Sequence, residues 1–421
     1  MRLHSLSMLA AAGLLLAAPA FAADPLPRAE PAAVGLSDAR LERLTAVVRA
    51  DVEKGRIPGA VLLIARDGKL AYLESVGWRD KEKQAPMRPD AIFRIYSMTK
   101  PIVSVAAMML WEEGRFLLSD PVSKFIPEFK DLKVGVETAD PATGKTALEL
   151  VPAGREMTVH DLLRHTSGLT YGVFGKSMVK QAYLDADVPS KDQTNAELIG
   201  KLAKLPLAYQ PGTTWEYSRS TDVLGHLVEI VSGQTLDLFL QERILDPLGM
   251  RDTGFHVPPE KLDRLAEPLS ADPDTGKPVR LINVRAPQKF LSGGGGMVST
   301  AADYVRFVQM LLNGGELDGT RILARKTVEY MLSDHLGEIR GPAFSPGPGY
   351  GFGLGVGVRL EPGLAAIPGS VGDFYWGGLG GTYFWGDPKE RLVAVWMMQA
   401  PGQRTHYRAL FRDLVYSALE E

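Results

Sequence analysis

The sequence predicts a mixed α/β (α+β) fold: an antiparallel, five-stranded-type sheet flanked by helices, built from both chain ends, with a mostly helical domain inserted between them. Three observations carry this. A helical pattern and a β-hairpin stand near the start. Three strand-like runs and a helical pattern close the chain. Helical periodicities divided by Pro and Gly fill the middle. The expected division is 23–118 with 286–421 for the α/β domain and 119–285 for the insertion, which a length of 421 residues accommodates.

The first helix is expected over 37–53, where Ser37 can cap and Leu41, Leu44, Val47 and Val48 recur on one face. In "GAVLLIARDGKLAYLESVGW" two apolar runs flank Asp67-Gly68, which tolerates positive φ at both turn positions and so predicts a hairpin. Helical patterns follow over 159–164, 195–205, 220–231 and 236–244, with strand signals around 132–136 and 148–151. The glycines at 293–296 read as tight backbone passage at a turn. Ser299-Thr300 then caps a helix over 301–312 that Gly314 ends. "YGFGLGVGVRL", "FYWGGLGGTYFWG" and "RLVAVWMMQ" read as three strands, the last two joined by the Asp387-Pro388-Lys389-Glu390 turn. A helix over about 404–419 closes the chain, and the Gly- and Pro-rich stretch 341–373 is expected to loop near Trp376 and shape a pocket.

Apolar residues make up 45% and charged residues 23%, an ordinary globular composition rather than a disordered one. A net charge of -3 gives no reason to expect nucleic acid or an acidic membrane as partner. Cysteine is absent, which excludes disulfides, thiolate metal sites and a cysteine nucleophile. The N-terminus, "MRLHSLSMLAAAGLLLAAPAFAAD", combines Arg2, an apolar core and Ala20-Phe21-Ala22, a small-x-small cleavage pattern. The apolar run is shorter than the ~20 residues of a spanning helix. Residues 1–22 therefore read as a signal peptide and the product as exported, periplasmic or secreted, with no stable membrane insertion after cleavage.

Chemistry concentrates in "FRIYSMTKPIVSVAAMMLWEEGR". Ser97 and Lys100 sit three apart where a strand-like run gives way to an apolar helix. A serine hydroxyl needs a base to act as a nucleophile. Lysine can be that base if burial or positive potential depresses its pKa. A helix starting near Ser97 puts Lys100 one turn on, on the same face, and leaves the Ser97 N–H free to face an oxyanion. The same spacing recurs at Ser177 and Lys180, among polar residues where an exposed lysine needs no special reason. No G-x-S-x-G, H-E-x-x-H or phosphate-loop pattern occurs. His165, in "LLRHTSGL", could serve a Ser-His-Asp triad, with capping or core packing as the plainer role.

Taken in order, "SMTK" at 97–100, "LLRHTSGL" at 162–169, "PGTTWEYS" at 211–218, "DPLGM" at 246–250, "GGGGMVSTAADYVRF" at 293–307 and "WGGLGGT" at 376–382 resemble the serine β-lactamase-like hydrolases. That superfamily includes penicillin-binding proteins and family VIII carboxylesterases. The resemblance implies that Lys100 and Tyr217 share proton transfer with the nucleophile Ser97. It also implies that Trp376, Gly377 and Gly378 form the third element, followed by Leu379 as second oxyanion donor. Trp376 stands where lactamases carry a cation, and Arg219 replaces an asparagine that grips the substrate amide. The W-G-G at 376–378 resembles the esterase branch and implies a neutral small-molecule ester as substrate, while both departures count against a lactamase or peptidase. No metal or organic cofactor is implied. A periplasmic β-lactamase or D-amino-acid peptidase, an acyltransferase, and a non-catalytic peptidoglycan-binding protein are the competing readings.

Overall fold

The computed structural model describes residues 24–139, 143–144, 146–342, 344 and 346–420; the expected signal peptide lies outside them. The large sheet runs, edge to edge, Tyr350–Phe352, Gly357–Arg359, Phe374–Gly377, Tyr383–Asp387, Leu392–Met398, Gly59–Arg66, Lys69–Asp80 and Ala85–Pro86, with every neighbour antiparallel. It is built from both chain ends, as the sequence predicts, but has eight strands rather than a five-stranded type. Two runs read as single strands are hairpins: "YGFGLGVGVRL" gives Tyr350–Phe352 and Gly357–Arg359, and "FYWGGLGGTYFWG" gives Phe374–Gly377 and Tyr383–Asp387. Their internal glycines form the turns, with Gly355 at φ 100° and Gly381 at φ 118°. The 341–373 stretch thus carries two short strands besides its loops.

The Gly59–Arg66 strand is buried throughout because both sheet faces are covered. Ala60, Leu62 and Ile64 pack under the Asp38–Glu53 and Arg404–Ser417 helices, with Trp385, Trp396 and Phe411. Val61, Leu63 and Ala65 face the opposite core, shared with the Thr99–Glu112 and Ala301–Leu312 helices and the helical middle. The hairpin turn is as read: Asp67 and Gly68 have φ of 55° and 71°. Thr300 caps the Ala301–Leu312 helix by accepting from the Asp303 N–H. Ser37 precedes its helix without a side-chain cap bond. The expected 236–244 helix keeps α geometry over Leu236–Leu240 and becomes a π-turn over Gln241–Leu245. The strand signals in the middle form one hairpin, Lys133–Ala139 with Thr146–Pro152.

One buried ionic cluster fixes the sheet's far half to the C-terminal helix. Asp373 accepts from Arg359 at 2.6 Å and from Arg412 at 2.8 Å, with all three side chains fully buried. Tyr350 Oη accepts from both guanidinium groups. Replacing Asp373 by Asn removes the charge that two buried cations share, and it is expected to cost about 3 kcal/mol or more. Urea unfolding of the two proteins measures this directly.

Candidate active site

Three remote segments meet at the residue pair 95–96. Phe93–Arg94 pairs antiparallel with Val298–Ser299. Ile95 N–H donates to the Met297 carbonyl at 3.0 Å, and Thr382 Oγ1 donates to the Ile95 carbonyl at 3.3 Å. Both the glycine run and the Trp376 strand-turn are thereby drawn against the turn that carries Ser97. The approach is close: a Cβ on Gly378 would lie 2.3 Å from the Ile95 oxygen. Tyr96, just before the nucleophile candidate, has φ 45°, a left-handed conformation rare outside glycine.

Ser97 sits in a single 3-10 turn, Tyr96–Met98, that leads into the Thr99–Glu112 helix. That helix is buried nearly all round, as its unbroken apolar pattern predicts. Ser97 is partly exposed and Lys100 fully buried. The three protons of Lys100 Nζ meet three acceptors: the Gly294 carbonyl at 2.6 Å, Tyr171 Oη at 2.9 Å and Ser97 Oγ at 3.4 Å. The ammonium also lies 4.5 Å from the Tyr217 ring centroid. Burial works against the charge, but Tyr171 and Tyr217 outweigh it, and the Lys100 pKa is raised rather than depressed. The condition the sequence reading set for Lys100 as base, a pKa depressed by burial or positive potential, is thus opposed by the two tyrosines that converge on it. Burial pushes the Tyr171 phenol up to about 12, against the pull of Lys100.

Tyr217 is partly exposed and accepts from the Trp376 indole N–H at 3.3 Å. Trp376 itself is buried, so its polar atom addresses Tyr217. Arg219 is also buried; it pairs with Asp222 at 3.2 Å and lies 4.9 Å from the Tyr171 ring centroid. Burial opposes the Asp222 carboxylate, but Arg219, Ser292, Lys100 and the Gly294 N–H outweigh it and hold its pKa below the ordinary value. Gly377 and Gly378 lie beneath the turn, and Leu379 at its tip is half exposed. Among the described residues, neither the Ser97 nor the Leu379 backbone N–H has a protein acceptor, the condition for a pair of oxyanion donors.

The alternatives separate cleanly. His165 makes no bond to Ser97; its ring is buried 5.0 Å from that of Tyr217, and Nδ1 meets Ser218 Oγ at 3.2 Å. Burial and then the Lys100 charge hold its pKa well below the ordinary value, so it is neutral. Ser177 caps the Met178–Asp185 helix. Lys180 is buried and paired with Glu216 at 3.0 Å, not exposed as its polar surroundings suggested.

Sequence reading missed Tyr171, Asp222 and the carbonyl of Gly294. Asp222 accepts from the Gly294 N–H at 2.9 Å and from Ser292 Oγ at 2.5 Å, and so sets the peptide whose next carbonyl grips Lys100. A carboxylate three residues after Arg219, at the head of a helix that turns apolar directly after it, was the available signal. Tyr171 had none beyond its place after "HTSGLT".

This fold, with a serine, a buried lysine and a tyrosine converging beneath a glycine turn, defines a serine hydrolase. The family model Beta-lactamase matches residues 44–417, and the chain belongs to that family. It is 33% identical to Esterase EstB of Burkholderia gladioli over 410 residues, 92% of this chain and 98% of that one. Among solved structures it is similar to EstCE1, a hydrolase with promiscuous acyltransferase activity (TM-score 0.74, 29% identity, 90% of this chain and 98% of that one). It is also similar to Simvastatin Synthase (LovD) from Aspergillus terreus (TM-score 0.74, 26% identity, 90% and 98%).

A Cβ on Gly294 would lie 2.8 Å from both Asp222 Oδ2 and Tyr171 Oη. Gly294→Ala therefore displaces the carbonyl that holds Lys100. Hydrolase turnover is expected to fall by about 100-fold, as for ångström-scale misplacement of a reacting group. Steady-state kinetics beside a melting curve separates this from unfolding.

Proposed function

We propose that the protein is a carboxylesterase that cleaves uncharged short-chain carboxylic esters through an acyl-enzyme on Ser97. The observation that carries the reading is that, among the described residues, the third element presents no free cation. Trp376 offers its N–H to Tyr217, and Arg219 is neutralised by Asp222. Beside them Val173 and Phe174 are exposed, with the Phe174 ring 6.0 Å from that of Tyr217. With no cation on the third element itself, an uncharged ester fits there better than the carboxylate of a penicillin or peptide. The likeness to Esterase EstB supports the same choice.

Ser97 Oγ attacks the ester carbonyl carbon, and its proton passes to the Lys100–Tyr217 pair, acting in the state that holds one proton less than its full complement. The carbonyl oxygen, now negative, lies between the Ser97 and Leu379 N–H groups. Collapse breaks the ester C–O bond and the pair returns the proton to the leaving alcohol. Water repeats the sequence against the acyl-serine and releases the acid. Lys100, hydrogen-bonded to Ser97 Oγ at 3.4 Å, keeps the attacking oxygen and the proton path together. An alcohol in place of water in the second step gives acyl transfer, the second reading, which the likeness to EstCE1 and LovD favours.

Ser97→Ala is expected to abolish p-nitrophenyl acetate turnover to background, and intact-mass measurement of the unaltered protein should show the acetyl adduct. Chromogenic cephalosporin turnover as fast as that of the ester would overturn the esterase assignment in favour of the lactamase one. For residues 1–22 we propose a cleaved export signal; N-terminal sequencing of protein recovered outside the cytoplasm is expected to begin at Ala23.

A further inference from the structure

We propose that Arg408 is a positioning residue of the oxyanion hole: by gripping the Gly378 carbonyl from behind the sheet it aims the Leu379 N–H at the reacting oxygen. This rests on the acyl-enzyme reading above.

Arg408 belongs to the Arg404–Ser417 helix, which covers the sheet face away from the Thr99–Glu112 helix. Its guanidinium reaches the Trp376 strand edge. Nη2 donates to the Gly378 carbonyl at 2.5 Å and to the Thr382 carbonyl at 3.3 Å. The first contact fixes a peptide plane. In a planar trans peptide the carbonyl of one residue and the N–H of the next point in opposite directions. Holding the Gly378 carbonyl therefore turns the Leu379 N–H away from Arg408.

On that other side the turn lies against the nucleophile. A Cβ on Gly378 would meet the Ile95 carbonyl, and one on Gly380 would lie 3.0 Å from the Tyr96 ring. Ser97 follows directly. Leu379 N–H has no protein acceptor among the described residues, whereas the carbonyl of the same peptide accepts twice, from Arg408 and from Gly381 N–H at 3.2 Å. One half of the peptide is doubly held and the other left free, the arrangement of a preorganised donor. A cation on the carbonyl also polarises the peptide and strengthens its N–H as a donor.

Gly377 explains why the strand carries two glycines. A Cβ there would lie 2.6 Å from the Arg408 guanidinium carbon. Gly378 admits the nucleophile turn on one side and Gly377 admits the guanidinium on the other. The C-terminal helix, remote in sequence from Ser97, thus reaches the reacting centre through one hydrogen bond.

The test is Arg408→Ala on the full mature chain, read with p-nitrophenyl acetate and with phenylboronic acid. The serine oxygen adds to boron, its proton passes to the Lys100–Tyr217 pair, and the resulting borate presents an oxygen where the oxyanion sits. A donor lost outright in such a site typically lowers turnover 100- to 1000-fold, and a donor misaimed is expected to lower it by about 30-fold. KM should stay within about threefold, and the boronate dissociation constant should rise in parallel with the fall in kcat/KM. Added guanidinium ion should restore part of the loss. Gly377→Ala, which crowds the guanidinium, should move all three readouts in the same direction, and it stands in if Arg408→Ala does not fold. Turnover and boronate affinity within threefold of the unaltered protein in a folded variant would overturn the proposal. So would a rise in KM alone. Loss of the acyl-enzyme reading is seen separately, in the unaltered protein and its Ser97→Ala variant.

Discussion

The site depends on one ammonium group placed where water cannot reach it. Transferring a charge out of water costs several kcal/mol unless it is paired and fully hydrogen-bonded. Lys100 has no carboxylate partner among its hydrogen bonds; a carbonyl, a phenol and the Ser97 hydroxyl satisfy it. Asp222 and its partners support that arrangement from one step away, because the Asp222 carboxylate sets the Gly294 peptide. Removing any member leaves a buried group without its complement.

The same constraint explains the local backbone. Around Lys100 and Ser97 the chain is packed so closely that side chains are excluded at Gly293, Gly294, Gly377 and Gly378. At Gly293 the obstacle is the Thr221 carbonyl, whose oxygen would lie 2.5 Å from a Cβ. Such contacts leave no room for a sliding register, so the Trp376 turn, Lys100 and Ser97 keep one relative geometry. The left-handed Tyr96 belongs to this picture: its hydroxyl accepts from the Ile282 N–H at 3.0 Å, which holds the strained residue from the far side.

Contacts set by short-range patterns were legible in advance. Ser97 and Lys100 announce themselves by helical spacing beside an apolar helix, and the Asp67-Gly68 hairpin by its turn chemistry. Glycine-interrupted strands were not. "YGFGLGVGVRL" and "FYWGGLGGTYFWG" carry no break stronger than glycine, and glycine serves equally in a strand passing close to a neighbour and in a turn. Only pairing decided that each is two strands. Lys180 misled for a related reason: its polar sequence neighbours say nothing of Glu216, which folds onto it from another segment.

By itself the sequence determined the elements whose cause is local: periodic faces, caps, turn residues, and the pairing of a serine with a lysine one helical turn away. The order of its motifs also places the chain among serine hydrolases of this architecture. What tertiary structure alone decided is electrostatic state and aim. The Lys100 pKa is raised against its burial because Tyr171 and Tyr217 converge on it, and Tyr171 lies 71 residues along the chain. The Gly378–Leu379 peptide keeps its orientation because a residue on the last helix holds its carbonyl. Charge stabilisation and peptide orientation depend on distances across space, and those are set only when both faces of the sheet are packed.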